Sequence, residues 1–398
     1  MSADVIERAD RVIANTYRRF PMVLERGEGC TVWDSQGKAY TDFVAGIAVC
    51  NMGHANPAVA KALAEQAGKL FHVSNLYYTV PQVELAEWLV AHSFADRVFF
   101  CNSGAEANEA AIKLARKNFF DKGNYDRWRI VAMDQSFHGR TFATLSATGQ
   151  KKVREGFEPI LEGFDFVPFN DIDALKRQVN EHTCAVLVEP VQGEGGIRCG
   201  SPAYFEAVRQ ICDDTGSILI FDEIQTGIGR TGKLFGYEHF GVTPDIMTLA
   251  KALGNGLPIG AMLAREEIVK AFTPGAHAST FGGTPVITAA ALEVLKQMER
   301  EHIVDHCAET GTYFKSRLEW LKSRYPVIED VRGIGLMLGI RVSIKGAPIV
   351  EMCIKNGYLI NCTQENILRF IPPLIISREE IDGLIDCLDA VFGALSDS

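Results

Sequence analysis

Short apolar runs alternate with longer stretches of helical spacing over most of this chain. Between about residues 54 and 260 the runs lie at 97–101, 129–133, 185–188, 217–221 and 246–249, with helical patterns such as 105–120 and 202–215 between them. Runs this short, with little polar alternation, suit strands buried on both faces. Their alternation with helices predicts a mainly parallel sheet covered on both sides. Residues 1–20 predict an amphipathic helix, and 31–33 and 39–44 predict short strands around a Ser35-Gln-Gly37 turn. A long helical region over 285–324 repeats apolar positions at Ala290, Val294, Leu295 and Met298. After Pro326, strands at 334–341, 358–360 and 367–370 and a last helix at 378–395 predict a separate α+β layout. The expected organisation is an N-terminal arm (1–50) joining a small domain, a large domain (51–285) and the C-terminal small domain itself (286–398).

Composition narrows the class of function. The chain has 398 residues, 47% hydrophobic and 23% charged, which is ordinary for a globular protein. Forty basic against fifty acidic residues give a formal charge of −10, so a nucleic-acid partner is not expected. No run reaches the ~18 apolar residues of a membrane span. The first twenty residues carry Asp4, Glu7, Asp10 and four arginines without an apolar core, which speaks against a secretory leader. The ten cysteines form no CxxC and mostly sit in apolar runs, as reduced thiols of a reducing compartment would. The expected location is the cytoplasm.

The 36 glycines exceed the usual share of about 7%, and they cluster. Gly227-Ile-Gly-Arg-Thr-Gly232-Lys233 fits GxxxxGK, but Leu234 stands where a P-loop needs Ser or Thr, and five residues part it from the preceding strand. Gly254-Asn-Gly256-Leu-Pro-Ile-Gly260 is one residue too long for a dinucleotide fingerprint, and Pro258 interrupts the helix that should open there. His302 and His306 lie four apart but have no third ligand, so no metal site is expected.

Three other places fit together. Ser103-Gly-Ala105 ends a strand and opens a helix, with Ser103 and Glu106 matching a capping box. Alone that is an ordinary helix start, but it also leaves amides and a helix dipole facing any anion. The run at 217–221 ends in Asp222-Glu223, a carboxylate on the ligand edge of a doubly wound sheet, where it calls for a cation. The run at 246–249 leads to Lys251 before a glycine-rich loop, an unusual place for a merely solvated lysine. Pyridoxal 5'-phosphate offers a phosphate, a ring nitrogen and an aldehyde, one for each.

The chain closely resembles the class III (subgroup II) pyridoxal-phosphate aminotransferases, from about Tyr17 to Leu395. The most specific stretch is Ile220-Phe-Asp222-Glu223-Ile-Gln225-Thr-Gly227-Ile-Gly-Arg230-Thr-Gly232, followed by Pro244-Asp245-Ile and Ala250-Lys251-Ala-Leu-Gly254. Phe137-His138-Gly139-Arg140-Thr141, Glu189-Pro-Val-Gln-Gly-Glu194-Gly-Gly196 and Ser279-Thr280-Phe-Gly-Gly283 fit as well. Within the class, Pro168-Phe-Asn-Asp171 and His182-Thr-Cys-Ala-Val186 are most similar to the acetylornithine branch. The resemblance implies fold type I of the pyridoxal-phosphate-dependent transferases, with a mainly parallel seven-stranded sheet in a cofactor-binding large domain and a smaller α+β domain. It implies that Lys251 links to the cofactor aldehyde and then moves the proton, and that Asp222 pairs with the ring nitrogen. Gln225 contacts the ring hydroxyl, Phe137 stacks on the ring with His138 beside it, and Ser103, Gly104 and Ala105 hold the phosphate. Thr280 does so from the other subunit of a homodimer with shared active sites. Arg140 and Arg369 are implied to bind substrate carboxylates, Glu194 to cover Arg369, and Tyr17 and Ile47 to line the substrate wall. The reaction the resemblance implies moves the δ-amino group of N²-acetylornithine to 2-oxoglutarate, giving N-acetylglutamate 5-semialdehyde and glutamate. Succinylornithine, N-succinyl-diaminopimelate and 4-aminobutyrate stay open as donors.

Overall fold

A computed structural model describes residues 2–396, so Met1 and the last two positions of the expected C-terminal domain lie outside it. Its centre is a seven-stranded sheet in the order Arg97–Cys101, Gly260–Ala264, Ile246–Leu249, Ile218–Asp222, Thr183–Val188, Arg129–Met133, Phe164–Val167. Gly260–Ala264 runs antiparallel to both neighbours; the other pairings are parallel. The period of two along a strand divides the buried side chains between the faces. Ile218 and Ile220 pack with Ala111 and Leu114 of the helix Gly104–Asp121 on one side. Leu219 and Phe221 pack with Phe205 and Val208 of the helix Pro202–Thr215 on the other. That second helix opens on the Ser201 hydroxyl, which accepts from the Tyr204 amide (3.1 Å), has Pro202 in its first turn, and stops at Gly216 with φ +66°.

Among the described residues two four-stranded sheets and the short ribbon of Val191–Gln192 with Arg198–Cys199 accompany the large sheet. Ile328–Ile334, Met337–Val342, Ile367–Phe370 and Asn361–Thr363 form an antiparallel sheet. The N-terminal strands Leu24–Glu28, Thr31–Asp34 and Ala39–Asp42 form another, whose last strand pairs in parallel with Tyr358–Leu359 near the other end of the chain. The segment 24–42 is thereby tied to the C-terminal region.

Several elements depart from the expected pattern. The helical region 285–324 is two helices, Pro285–Arg300 and Ile303–Arg324, broken at His302, whose φ of +51° no right-handed helix can continue. The single strand expected at 334–341 is a hairpin that turns at Gly335. Phe164–Val167 and Gly260–Ala264 have no counterpart in the pattern. One alternates polar with apolar residues in only four positions, and the other is small-residue and glycine-led, so neither stands out as an apolar run. Among the described residues no helix is long and apolar enough to cross a membrane, and no group of three or more His, Cys, Asp or Glu is placed to hold a metal. The ten cysteines are free thiols.

Candidate active site

The parallel strands of the large sheet deliver their C-terminal ends to one cavity of about 450 Å³. Ser103, Gly104, Ala105, Phe137, His138, Arg140, Glu189, Glu194, Asp222, Gln225 and Lys251 all lie on its wall. At the turn after Arg97–Cys101, the Ser103 hydroxyl accepts from the Glu106 amide (3.2 Å), and Glu106 reaches back to the Asn102 amide (2.6 Å). The first amides of the helix Gly104–Asp121 are left for a ligand. Gly104 is required by close approach: a Cβ there would lie 2.7 Å from Ile224 Cδ1.

Asp222 ends the central strand with 4% of its surface exposed. Its Oδ2 accepts from His138 Nδ1 (2.7 Å) and Asn108 Nδ2 (2.8 Å), and its Oδ1 from the Ile224 amide (3.1 Å). Asn108 is itself fixed, accepting from the Thr248 hydroxyl (2.8 Å) and donating to the His138 carbonyl (2.8 Å). Asn108 and Thr248 were not picked out from sequence. The available signal was an asparagine inside a helix and a threonine inside an apolar strand, both poor choices unless their polar ends have work to do.

Lys251 follows the strand Ile246–Leu249 with φ +45°, a strained conformation for a residue with a Cβ. Burial pushes its ammonium below the ordinary lysine value; Glu194, Asp222 and Glu189 oppose that shift and Arg369 adds to it. Glu189 opens the motif Glu189–Gly196, which by itself gives it no role. It accepts from the amides of Phe137 (3.2 Å) and Gly193 (3.4 Å), and burial followed by the charge of Asp222 raises its carboxyl well above the usual range. Gln225 packs so closely on Gly193 that a Cβ there would sit 2.2 Å from Gln225 Oε1.

Arg369, paired with Glu194 of the wall, is 1% exposed; its Nη1 lies 2.5 Å from Glu194 Oε1, and its Nε donates to Asn361 Oδ1 at 3.2 Å. Burial alone would raise Glu194, but Arg369, helped by Lys251 and Arg140, carries it below the ordinary carboxylate value. Arg140 is exposed on the wall, its guanidinium carbon 5.6 Å from the Phe137 ring centre.

Arg369, which meets the wall through Glu194, and three further expected residues lie off this wall. Tyr17 is 71% exposed and sits near Arg19. Ile47 is 42% exposed on a left-handed turn over Ala45–Ala48, where all four φ values lie between +49° and +67°. The turn is capped by Asp42, whose Oδ1 accepts from the amides of Val44 (2.8 Å) and Ala45 (3.0 Å), and it leads into Val49 on the cavity wall. Ser279 stays at the edge, accepting from Asn102 Nδ2 (3.2 Å), but its neighbour Thr280 is exposed in a separate cleft with Leu76, Tyr78 and His277.

The family model for aminotransferase class-III matches residues 12–392. The chain is a class-III aminotransferase. Its relatives include the acetylornithine aminotransferase of Caldanaerobacter subterraneus subsp. tengcongensis, 50% identical over 97% of this chain and 98% of that one. That of Methanocaldococcus jannaschii is 51% identical over 94% of each. Among solved structures, the ornithine aminotransferase of Toxoplasma gondii ME49 superposes with a TM-score of 0.96 at 32% identity, covering 100% of this aminotransferase and 96% of that chain. A second structure of the Toxoplasma enzyme has pyridoxal phosphate at partial occupancy in its active site. The acetylornithine aminotransferase of Elizabethkingia anophelis gives 0.88 at 33% identity, covering 99% of each chain. The class is pyridoxal-phosphate-dependent, and the donor set suits that group. Among the described residues Gln225 Oε1 and His138 Nε2 are buried without a hydrogen-bond partner, beside a helix-opening turn, a carboxylate and a lysine.

Proposed function

We propose that this aminotransferase binds pyridoxal 5'-phosphate and moves the δ-amino group of N²-acetylornithine to 2-oxoglutarate. The products are N-acetylglutamate 5-semialdehyde and glutamate, a step of arginine biosynthesis in the cytoplasm. What carries this reading is identity of about one half, over nearly the whole length, with proteins bearing that enzyme name. The Glu194–Arg369 pair supports it. A donor whose α-amine is blocked and whose reacting amine lies at the far end gains nothing from an open α-carboxylate clamp, and here the clamp is covered.

Ser103, Gly104 and Ala105 would hold the phosphate, Asp222 the ring nitrogen, Phe137 and His138 the ring, and Gln225 the ring hydroxyl. Bound there, the cofactor supplies an electron sink and a carbonyl for the travelling amine. Asp222, held in orientation by three donors, would pair with the ring nitrogen that faces it. Lys251 Nζ, its basicity lowered by burial, would carry the proton between the reacting carbons. Arg140 holds the distal carboxylate of either substrate. Arg369 reads the α-carboxylate of glutamate once Glu194 has turned away.

The site is completed in this reading by the partner subunit's Thr280. The cleft around Thr280 is lined by Leu76 and Tyr78, with 81% and 97% exposure, and Phe281, 63% exposed, follows Thr280 in the chain, an apolar surface of the kind a second copy covers. Single-turnover spectroscopy of the loaded enzyme against acetylornithine, succinylornithine, N-succinyl-diaminopimelate, 4-aminobutyrate and ornithine tests the donor. Acetylornithine should react with the highest kcat/KM, and a faster rival would replace it. Mixing Lys251→Ala with Thr280→Ala chains tests the shared site. Activity should return, because one site of each heterodimer carries neither lesion; no recovery on verified exchange would place Thr280 in its own subunit's site.

A further inference from the structure

Arg230 is, with Arg369, one of the two bulkiest side chains wholly removed from solvent. Among the described residues no carboxylate pairs with it. Its Nη1 donates to the backbone carbonyls of Leu336 (2.9 Å) and Pro372 (2.6 Å), and its Nη2 to Asn51 Oδ1 (2.5 Å). Burial lowers its pKa to about 10. A buried charge facing only neutral acceptors is a costly way to fill space that an apolar side chain could fill.

Two of its three acceptors belong to segments that lead from the site, and the third, Leu336, lies in the turn of the hairpin Ile328–Val342. Arg230 lies in the loop that continues from Asp222 and Gln225. Pro372 comes three residues after Arg369. Asn51 comes two after Val49 on the cavity wall. The junction is reinforced from both sides. The Leu336 amide donates to the Arg230 carbonyl (3.1 Å), Asn51 Nδ2 to the Ile228 carbonyl (2.8 Å), and the Leu374 amide to the Asn51 carbonyl (2.7 Å). We propose that Arg230 is a positioning residue that fixes the span between the Asp222–Gln225 end of the cavity and Arg369, and so sets the site's fit to a dicarboxylate substrate. The inference rests on the reading of Arg369 as a carboxylate clamp. The planar guanidinium is what the geometry calls for, because a lysine ammonium is a point donor that cannot keep this fork.

The experiment uses the full-length, cofactor-loaded enzyme with Arg230→Lys and Arg230→Met. Both half-reactions are followed by stopped flow, and binding of glutarate, a dicarboxylate with no amine to transfer, is measured alongside. The glutamate half-reaction should lose about tenfold or more in kcat/KM, mainly through KM, since small displacements of a substrate group are that damaging. Glutarate affinity should fall with it. The acetylornithine half-reaction and the cofactor absorbance should stay within about twofold of wild type, and Lys should do no better than Met. Equal losses in both half-reactions, or wild-type glutarate affinity, would overturn the proposal. If the Arg230 variants do not fold, Asn51→Ala removes one acceptor and carries the same test, with the same split expected in smaller measure and the same results against it. Arg369→Ala separates the two ideas. If it loses glutarate while the Arg230 variants keep it, positioning alone is wrong; if it keeps glutarate, the clamp reading falls and this inference with it.

Discussion

At one end of the cavity Asp222 is gripped by His138, Asn108 and a backbone amide, and Asn108 is gripped in turn by Thr248. At the other end Arg369 and Glu194 meet through one side-chain ion pair, while the Glu194 carbonyl is pinned by the Thr363 hydroxyl (2.8 Å) and Gln364 Nε2 (2.9 Å). Both ends place a charge out of water, yet only the first is over-determined. A carboxylate with several interlocked donors cannot turn without stranding buried polar groups. A carboxylate pinned by its backbone and held at its tip by one partner can. The contrast suits one end that keeps a cofactor through both halves of a cycle and another that meets two unlike substrates in turn.

The comparison breaks first at the rigid end. Lys251→Ala should abolish turnover and leave the melting transition cooperative, since the only proposed proton carrier is gone; turnover within tenfold of wild type would remove Lys251 from the chemistry. Asp222→Asn should retain cofactor, because its surrounding donors persist, but lower the single-turnover rate on the order of 10²-fold or more. An unchanged rate would make Asp222 a strand-end cap and the rigid end mere scaffolding.

At the switchable end the expected effects are selective. Truncating a desolvated arginine clamp costs about 2–5 kcal/mol, roughly 30-fold to several thousand-fold in kcat/KM. Arg369→Ala should spend that loss on the glutamate half-reaction and spare the acetylornithine one, while Arg140→Ala should damage both; stopped-flow traces of each half decide it. Glu194→Gln sharpens the contrast through pH. Arg369 holds the Glu194 pKa below its ordinary 4.5, so the pair stabilises the fold above that value and the stability drains away as the pH falls through the lowered pKa. Melting temperature should therefore drop less steeply below pH 4.5 in Glu194→Gln than in wild type. The smallest effect is expected outside both ends, at His54. Its bond to Asp42 (2.8 Å) helps raise its pKa from 6.5 to about 10. That stabilisation is full below the lower value and is lost as the pH climbs to the upper one, and Asp42→Asn should flatten melting temperature over that interval.

The rigid end was largely legible in the chain. Ser103, Asp222 and Lys251 each close an apolar run, and strand ends of a doubly wound sheet gather by topology. The switchable end was not, apart from a family resemblance. Arg369 and Glu194 are 175 residues apart, on a strand and a loop whose meeting depends on packing between two sheets. Arg230 stood in the quoted motif, but its partners are two backbone carbonyls and an asparagine 179 residues away, and carbonyls leave no mark on a sequence. The break at His302 was hidden for a related reason, since histidine is not one of the residues whose presence announces a left-handed φ.

The left-handed turn at Ala45–Ala48 bears on how this enzyme could be altered. A β-branched residue with positive φ is among the worst tolerated of backbone states, and Ile47 holds one at +67° with its side chain substantially in solvent. Stabilising changes are often found where a residue holds a backbone state that suits it poorly. Here replacement of Ile47 by an unbranched or amide side chain would relieve strain while losing little burial, so substitution at this position would run with the fold's stability rather than against it.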